Sequence, residues 1–478
     1  MKKHSTFQTY TTSYATYPTV RTFYRPHLHA DKLPSKPNPI PLLVLVHGLG
    51  GSLAQFKPLL TSLVDVAPCL GIDFPGCGRS RFAPTTWSAY KPEALAELLR
   101  VVIEKHAISG QGYVLVGHSL GCSLSALVVS TNVDGQTHDQ ASEALGLVGI
   151  CPAAKAPTGR KAIFLKILLC VPTPIFNLWR KWDRRGGPHS ASVLRFVGSQ
   201  ADIEVKKLQE RFNAQSQTAV YRRMAWGLLP HGPHSAGMAG LDTWAKLKVP
   251  TYLIGGEGDA VTGVENLASI AQAMGRTASP HATKDFQEQN SLDNASHLFK
   301  PDTEPPGSPS APSNLEAQPY DGRHDSEVTF LAKADASAHS SSQAPRTYTK
   351  HRAVLKTSIL PSPASHGLLY DPATSRTLSG LIQAFLPIHV DTRLSLGWQL
   401  QHLTDEGKWD VKNLNKWRSV RPVSEPIAGI FSAMKTLREV DEQHSPARFA
   451  QEYRGEIVAV VDISHDSPVY DPKGKHVF

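Results

Sequence analysis

The sequence predicts a doubly wound, mostly parallel α/β sheet, with a helical lid inserted into it, a long disordered loop and a C-terminal extension. Three observations lead there. Short apolar runs bounded by Gly or Pro alternate with segments whose apolar residues recur three or four apart, the pattern of buried parallel strands and amphipathic helices. The stretch 152–245 keeps helical spacing and has no strand-like run. The stretch 274–350 is rich in Ser, Pro, Ala, His and Asp, a composition that buries too little apolar surface to offset the ordering of the chain.

Residues 1–40 read as an N-terminal strand or arm, and the core is expected from 41–151, 246–273 and 351–388. The first core strand is 42–46, wholly apolar and flanked by Pro41 and His47-Gly48. A helix follows, because Leu53, Phe56, Leu60, Leu63 and Val64 share one face. The run 69–74 is the next strand, and 93–106 is a helix through Leu95, Leu98, Leu99 and Val102. A strand at 113–116 ends at Gly117, and a helix starts at Leu120. Strands at 146–151 and 251–255 bracket the lid; beyond the loop come a strand at 354–360 and an amphipathic helix at 375–386. An insertion of that kind is tolerable, since each doubling of loop length costs only about 0.6 kcal/mol. Residues 389–478 are expected to be an appendage or a truncated second domain, with Trp398, Trp409 and Trp417, a helical run at 427–440 and a strand-like 457–461.

The chemistry concentrates at two turns. Gly117-His118-Ser119-Leu120-Gly121 lies between a strand and a helix, the setting of a nucleophile elbow. Side chains at 117 and 121 would collide in such a turn, while the Ser119 hydroxyl is pushed out above the sheet edge. Upstream, His47-Gly48-Leu49-Gly50-Gly51 closes the first strand. If Ser119 attacks a carbonyl, the backbone N–H groups of Leu49 and Leu120 are the expected oxyanion donors. His47 is expected to buttress the loop. A phosphate loop fits less well: neither Gly-x-Gly-x-x-Gly nor Gly-Lys-Ser/Thr occurs here.

Together with Asp73-Phe74-Pro75-Gly76-Cys77-Gly78-Arg79-Ser80, these motifs resemble the α/β-hydrolase superfamily, and more narrowly its abhydrolase-type serine hydrolases. The resemblance covers roughly residues 20–272 and 351–388. Ser at 119, rather than Asp, sets the chain apart from the epoxide-hydrolase and haloalkane-dehalogenase branches. The resemblance implies an acid after the next-to-last core strand and a histidine after the last. Asp259 matches the first, with Glu257 as the alternative, and His366 matches the second. His366 stands far beyond Asp259 because the long loop intervenes; His281, His297, His324, His339 and His351 are expected to be solvated loop residues. A Ser119, Asp259, His366 triad would hydrolyse a carboxylic ester, with acyl lipids favoured, and needs neither cofactor nor metal. Two alternatives remain open. His366 and Asp371 have the His-x4-Asp spacing of some acyltransferases, and superfamily members with idle triads serve as scaffolds. The tail from Glu456 resembles the opening strand of a dual-specificity-phosphatase-like domain, but no cysteine is followed six places later by arginine.

Charge and cysteines bound the setting. Five cysteines, at 69, 77, 122, 151 and 170, exclude a disulfide scaffold and offer no zinc spacing, so a reducing compartment and a cytoplasmic location are expected. Met1-Lys2-Lys3 with no acid before Asp31 leaves a mitochondrial address open. The most apolar stretch, 162–179, is interrupted by Lys166, Pro172 and Pro174, so it is not expected to span a bilayer. Between 155 and 245 fourteen bases stand against five acids, an excess that equals the +9 of the whole chain. That basicity edges an apolar body with Trp179 and Trp182, as interfacial segments do. Peripheral contact with anionic membrane is therefore expected, and nucleic acid is not. The rival expectation is that these apolar residues only roof an acyl pocket.

Overall fold

The computed structural model describes residues 1–35, 38–131, 142–229, 237–275, 353–408, 421–435, 437 and 445–461. All of them belong to one compact unit, formed by Met1–Thr283 and Thr349–Phe478. The loop expected at 274–350 lies, from 276 on, outside the described residues.

Strands β1 (Ser5–Thr11), β2 (Thr16–Arg25), β3 (Leu42–Val46), β4 (Cys69–Ile72), β5 (Tyr113–His118), β6 (Ala144–Ile150), β7 (Thr251–Gly256) and β8 (Leu355–Leu360) form one sheet in the order β1-β2-β4-β3-β5-β6-β7-β8. The β1–β2 and β2–β4 pairs are antiparallel, and every later pair is parallel. The crossovers use α1 (Lys57–Leu63), α2 (Pro92–His106), α3 (Leu120–Thr131) and α10 (Glu265–Ala273), and α11 (Pro372–His389) follows the last strand. Between β6 and β7 lie α4 (Gly159–Cys170), α5 (Thr173–Asp183), α6 (Ala191–Val197), α7 (Ile203–Gln215), α8 (Thr218–Gly227) and α9 (Leu241–Ala245).

Alternation along β3 explains the double winding. Leu42, Val44 and Val46 join Leu98, Leu99, Leu124 and Val128 of α2 and α3 on one face. Leu43 and Leu45 join Leu59, Leu63, Leu381 and Phe385 of α1 and α11 on the other. Burial of each such side chain contributes about 1.5–3 kcal/mol, which leaves a two-faced apolar strand no alternative to a covered central position.

The parallel register aligns the strand ends. Val46 pairs with Gly117, His118 with Ile150, Ile150 with Ile254, and Gly256 with Leu360. The chain segments leaving β3, β5, β6, β7 and β8 therefore emerge along one edge of the sheet, where ligands of open α/β sheets bind.

In the C-terminal extension, a helix at Leu396–Lys408 follows Arg393, whose guanidinium bonds to Asn38 O at 2.7 Å. Gln399 Nε2 donates to Val66 O at 2.7 Å. The helix expected over 427–440 does not form in its described part. Ile427 bridges back to Phe431 across Ala428 and Gly429, at φ 55° and 74°. Left-handed backbone ends helical winding, and Ile430 and Phe431 stay exposed. Residues 457–461 are likewise not a strand: no partner strand lies beside them among the described residues, and Val458 and Val461 are exposed. No single described helix is long and apolar enough to cross a membrane, although Ala162–Cys170 and Thr173–His189, bent by 111°, pass together on length and composition.

Candidate active site

Ser119 sits between the last residue of β5 and the first of α3, at φ 55°. That conformation costs a residue with a Cβ about 1–3 kcal/mol unless its surroundings enforce it. They do here. Its N–H donates to Ile150 O at 2.9 Å and its carbonyl accepts from Cys122 N–H at 3.0 Å. A Cβ on Gly117 would lie 2.6 Å from Gly121 O, and one on Gly121 would overlap the Val46 carbonyl. The helix start is thus pressed against β3 and β5, and Ser119 is left half-buried at the edge.

The loop after β3 passes beside it. A Cβ on Gly48 would stand 2.9 Å from Ser119 Cβ and 3.4 Å from its Oγ. Phe74 N–H donates to His47 Nε2 at 3.0 Å, so the ring proton is on Nδ1, which donates to Gly48 O at 2.8 Å. Burial lowers the His47 pKa and keeps the ring neutral. It ties the loop to the exit of β4, as a buttress. Asp73 fixes the same corner: it accepts from Leu53 N–H at 2.7 Å, Arg79 N–H at 3.0 Å and the buried Arg21 guanidinium at 2.9 Å. Leu49 lies in this loop, half-buried against Leu169, Ala225 and Leu229 of the lid, and Leu120 N opens α3.

Asp259 follows β7 and His366 follows β8. Their side chains are buried, and His366 Nδ1–H donates to Asp259 Oδ2 at 2.9 Å. Asp259 Oδ1 also accepts from Val261 N–H at 2.7 Å and Thr262 N–H at 3.0 Å, while the Thr262 hydroxyl donates to Oδ2 at 2.6 Å. Burial by itself would raise this carboxyl, but the His366 and Thr262 hydrogen bonds outweigh it and hold the group well below the usual carboxylate range. Glu257 stays exposed and accepts from Ser362 N–H at 2.8 Å, bracing the loop that carries His366 rather than the ring.

His118 links the two halves. Its Nε2–H donates to His366 O at 3.0 Å, and the two rings stand 4.9 Å apart. Its Nδ1 is buried without a hydrogen-bond partner. Burial, then repulsion from His366, push its pKa down to about 3. The structure therefore gathers Ser119, the 47–51 loop, His118, His366 and Asp259 at one sheet edge.

Among the described residues, one group could share a metal ion: His118, Cys151 and His366, with ligand atoms within 4.8 Å. It fits a metal poorly. His118 Nε2–H is committed to the His366 carbonyl, and burial pushes the Cys151 thiol well above its ordinary pKa, which disfavours the thiolate a metal takes. Asp371 caps α11, accepting from Ala373 N–H at 2.9 Å, so its spacing from His366 has a structural use. His281, His297, His324, His339 and His351 lie outside the described residues.

Sequence reasoning missed Thr262 and Phe196. Asp-Ala-Val-Thr is a side chain-to-backbone turn pattern that could have flagged Thr262. Phe196, on α6, meets the His366 ring edge-to-face with 5.4 Å between centroids, and no local pattern announces that contact.

The profile described as "Alpha/beta hydrolase family" matches residues 43–302, more than half of the chain. The sequence is 26% identical over 236 residues to an abhydrolase domain-containing protein of Schizosaccharomyces pombe, covering 47% of this chain and 59% of the other. It is 24% identical over 264 residues to Lipid droplet hydrolase 1 of Saccharomyces cerevisiae, covering 49% and 67%. The chain thus spans about three-fifths of the length of the first relative and two-thirds of the second. A solved esterase from Thermogutta terrifontis overlays 80% of this chain and 98% of its own, at 13% identity and a TM-score of 0.46.

Proposed function

The chain belongs to the alpha/beta hydrolase family, and on that premise we propose that it is a serine hydrolase cleaving carboxylic esters, with acyl lipids as the substrate class. The observation that carries this reading is the hydrogen-bonded Asp259–His366 pair at the same sheet edge as the left-handed Ser119.

In this mechanism Ser119 Oγ attacks the ester carbonyl while His366 Nε2, the nitrogen not engaged by Asp259, takes its proton. Asp259 holds the ring in that tautomer and stabilises the imidazolium. Negative charge on the carbonyl oxygen is met by the N–H groups of Leu49 and Leu120, each such donor being worth about 3 kcal/mol in the transition state. His366 then protonates the departing alcohol, leaving an acyl group on Ser119. Water, deprotonated by the same imidazole, releases the acid. Acyl transfer would differ only in replacing water by an alcohol, and the N-cap that Asp371 makes gives its spacing from His366 a structural use that needs no acyltransferase motif.

Support for a lipid substrate comes from the lid. Leu165 and Leu169 of α4 face α8 and Leu49, covering the 47–51 loop. The outer sides of α4 and α5 leave Phe164 67%, Leu178 66% and Trp182 63% exposed, more than a roof over a pocket requires. One relative is itself named a lipid droplet hydrolase. We infer that this face rests peripherally on an anionic lipid surface.

The test is labelling with a fluorophosphonate alongside hydrolysis of a p-nitrophenyl ester. Wild type should label and turn over; Ser119→Ala should lose labelling and at least about 10³-fold in kcat. Equal labelling of both would move the nucleophile elsewhere, and an unlabelled wild type would make the protein a scaffold.

A further inference from the structure

The lid grips the segment that carries His366. From α6, the Phe196 ring stands edge-to-face on the imidazole, centroids 5.4 Å apart at 70°. The Phe196 carbonyl accepts from Gly367 N–H at 2.8 Å. Val197 lies so close that a Cβ on Gly367 would be 2.9 Å from its Cγ1. From α7, Gln209 Oε1 accepts from the wholly buried Tyr370 hydroxyl, and the Phe212 ring meets Tyr370 edge-on at 5.2 Å. The grip is itself braced. The buried Lys206 donates to Ser199 O at 2.7 Å across the α6–α7 turn. Gln209 Nε2 donates to Asn213 Oδ1 at 2.7 Å, and Arg180 of α5 and Arg184 just after it each donate to Asn213 O at 3.0 Å.

We propose that α6 and α7 are a clamp on the base, with Phe196 and Gln209 acting as positioning residues for His366. This rests on His366 being the proton acceptor of the reaction. The bond to Asp259 fixes one edge of the ring but does not stop the ring from tilting about that bond or the loop from drifting outward. Phe196 blocks the tilt, and its carbonyl together with the Gln209–Tyr370 bond blocks the drift. The lid is then two devices in one insertion: α4 and α5 carry the exposed apolar face, and α6 and α7 hold catalytic geometry.

The experiment uses the full chain, a soluble p-nitrophenyl ester and fluorophosphonate titration, so that kcat is expressed per active site. Phe196→Leu keeps apolar bulk but removes the ring edge. It should lower kcat by about 10- to 100-fold, the cost of roughly an ångström of misplacement, with KM nearly unchanged. It should also broaden the low-field Nδ1–H proton resonance of His366. Phe196→Tyr should restore most of the rate. The paired change Gln209→Leu with Tyr370→Phe, which removes both partners of that bond together and frees only the half-exposed Asn213 Oδ1 to meet solvent, should lower kcat in the same sense. Unchanged kcat per site in Phe196→Leu and in the pair, or a loss found only in KM or in the titratable fraction, would overturn the clamp. The parallel variant His366→Ala separates the two ideas: if it is inactive while the clamp variants turn over normally, only the clamp fails, and if it keeps full activity, the assignment of the base fails with it.

Discussion

At Asp259 and His118 two buried ionisable side chains are held in opposite charge states within one small site. The carboxyl is kept ionised by four hydrogen bonds, and the imidazole is kept neutral by burial. Their effects on stability fall in different pH windows. The folded pKa of Asp259 is depressed, so its contribution is present above the ordinary 3.8 and is lost only as pH falls further. For His118 the folded value of about 3 lies below the ordinary 6.5, so the unfolded chain binds more protons between them and stability falls on acidification through that range. His118→Gln, whose amide still reaches the His366 carbonyl, should therefore lose urea resistance less steeply than wild type between about pH 6.5 and 4.5. Parallel slopes would show that His118 is not buried neutral. The strand-to-helix turn at Ser119 was legible because its signal is local, five adjacent residues. The places of Asp259 and His366 after the last two strands came from the family resemblance, the second only once the 274–350 loop was set aside. Thr262, His118 as a tether and Phe196 were not legible, because what defines each is a partner reached through space.

At the scale of elements, the start of α3 shows how tightly a helix can be fitted to a sheet. The hydrogens of Gly121 face the Val46 carbonyl at the end of β3, and the hydrogens of Gly117 face Gly121. Gly121→Ala should cost about 1–3 kcal/mol in urea unfolding and abolish fluorophosphonate labelling, because relief of the clash moves Ser119. Gly240→Ala makes the comparison: nothing lies within 4 Å of its added Cβ and its φ of −89° suits any residue, so its only cost is that of Ala at the N-cap of α9, about 0.5 kcal/mol, and labelling should be kept. Equal losses in both would mean that the cost is generic rather than steric. The central strands were readable because they are apolar on both faces. The described part of the run at 427–440 was misread because its apolar spacing fits a helix equally well, and nothing in that spacing encodes the turn at Ala428 and Gly429.

Across the whole molecule, charge and apolar surface are segregated onto one insertion. The lid carries an excess of +9, equal to that of the chain, and its α4–α5 face is apolar and exposed. Arg180 and Arg184 are occupied in holding α7, so reversing them would disturb the packing around His366 as well as the surface. Lys181 and Arg185 are exposed and make the cleaner probe. At about 1 kcal/mol per base near an anionic surface, Lys181→Glu with Arg185→Glu should weaken sedimentation with phosphatidylserine vesicles more than about tenfold while soluble-ester turnover is kept. Undiminished sedimentation would remove the membrane reading and leave the hydrolase.

The amino-acid order by itself determined the layered sheet, the turn that carries Ser119 and the position of the basic insertion, since each is written in periodicity or in a few adjacent residues, whereas Asp259 was singled out only through the resemblance to a family. Only the tertiary structure decided that α6 and α7 pack on the segment carrying His366 while α4 and α5 leave an exposed apolar face, that His118 anchors the histidine's backbone, and that the described parts of 427–440 and 457–461 are neither the expected helix nor the expected strand. The contacts on His366 depend on which surfaces meet after the chain has closed over more than a hundred residues, which leaves no trace in local spacing, and the last outcome turns on left-handed backbone at Ala428 and Gly429 that apolar spacing does not encode.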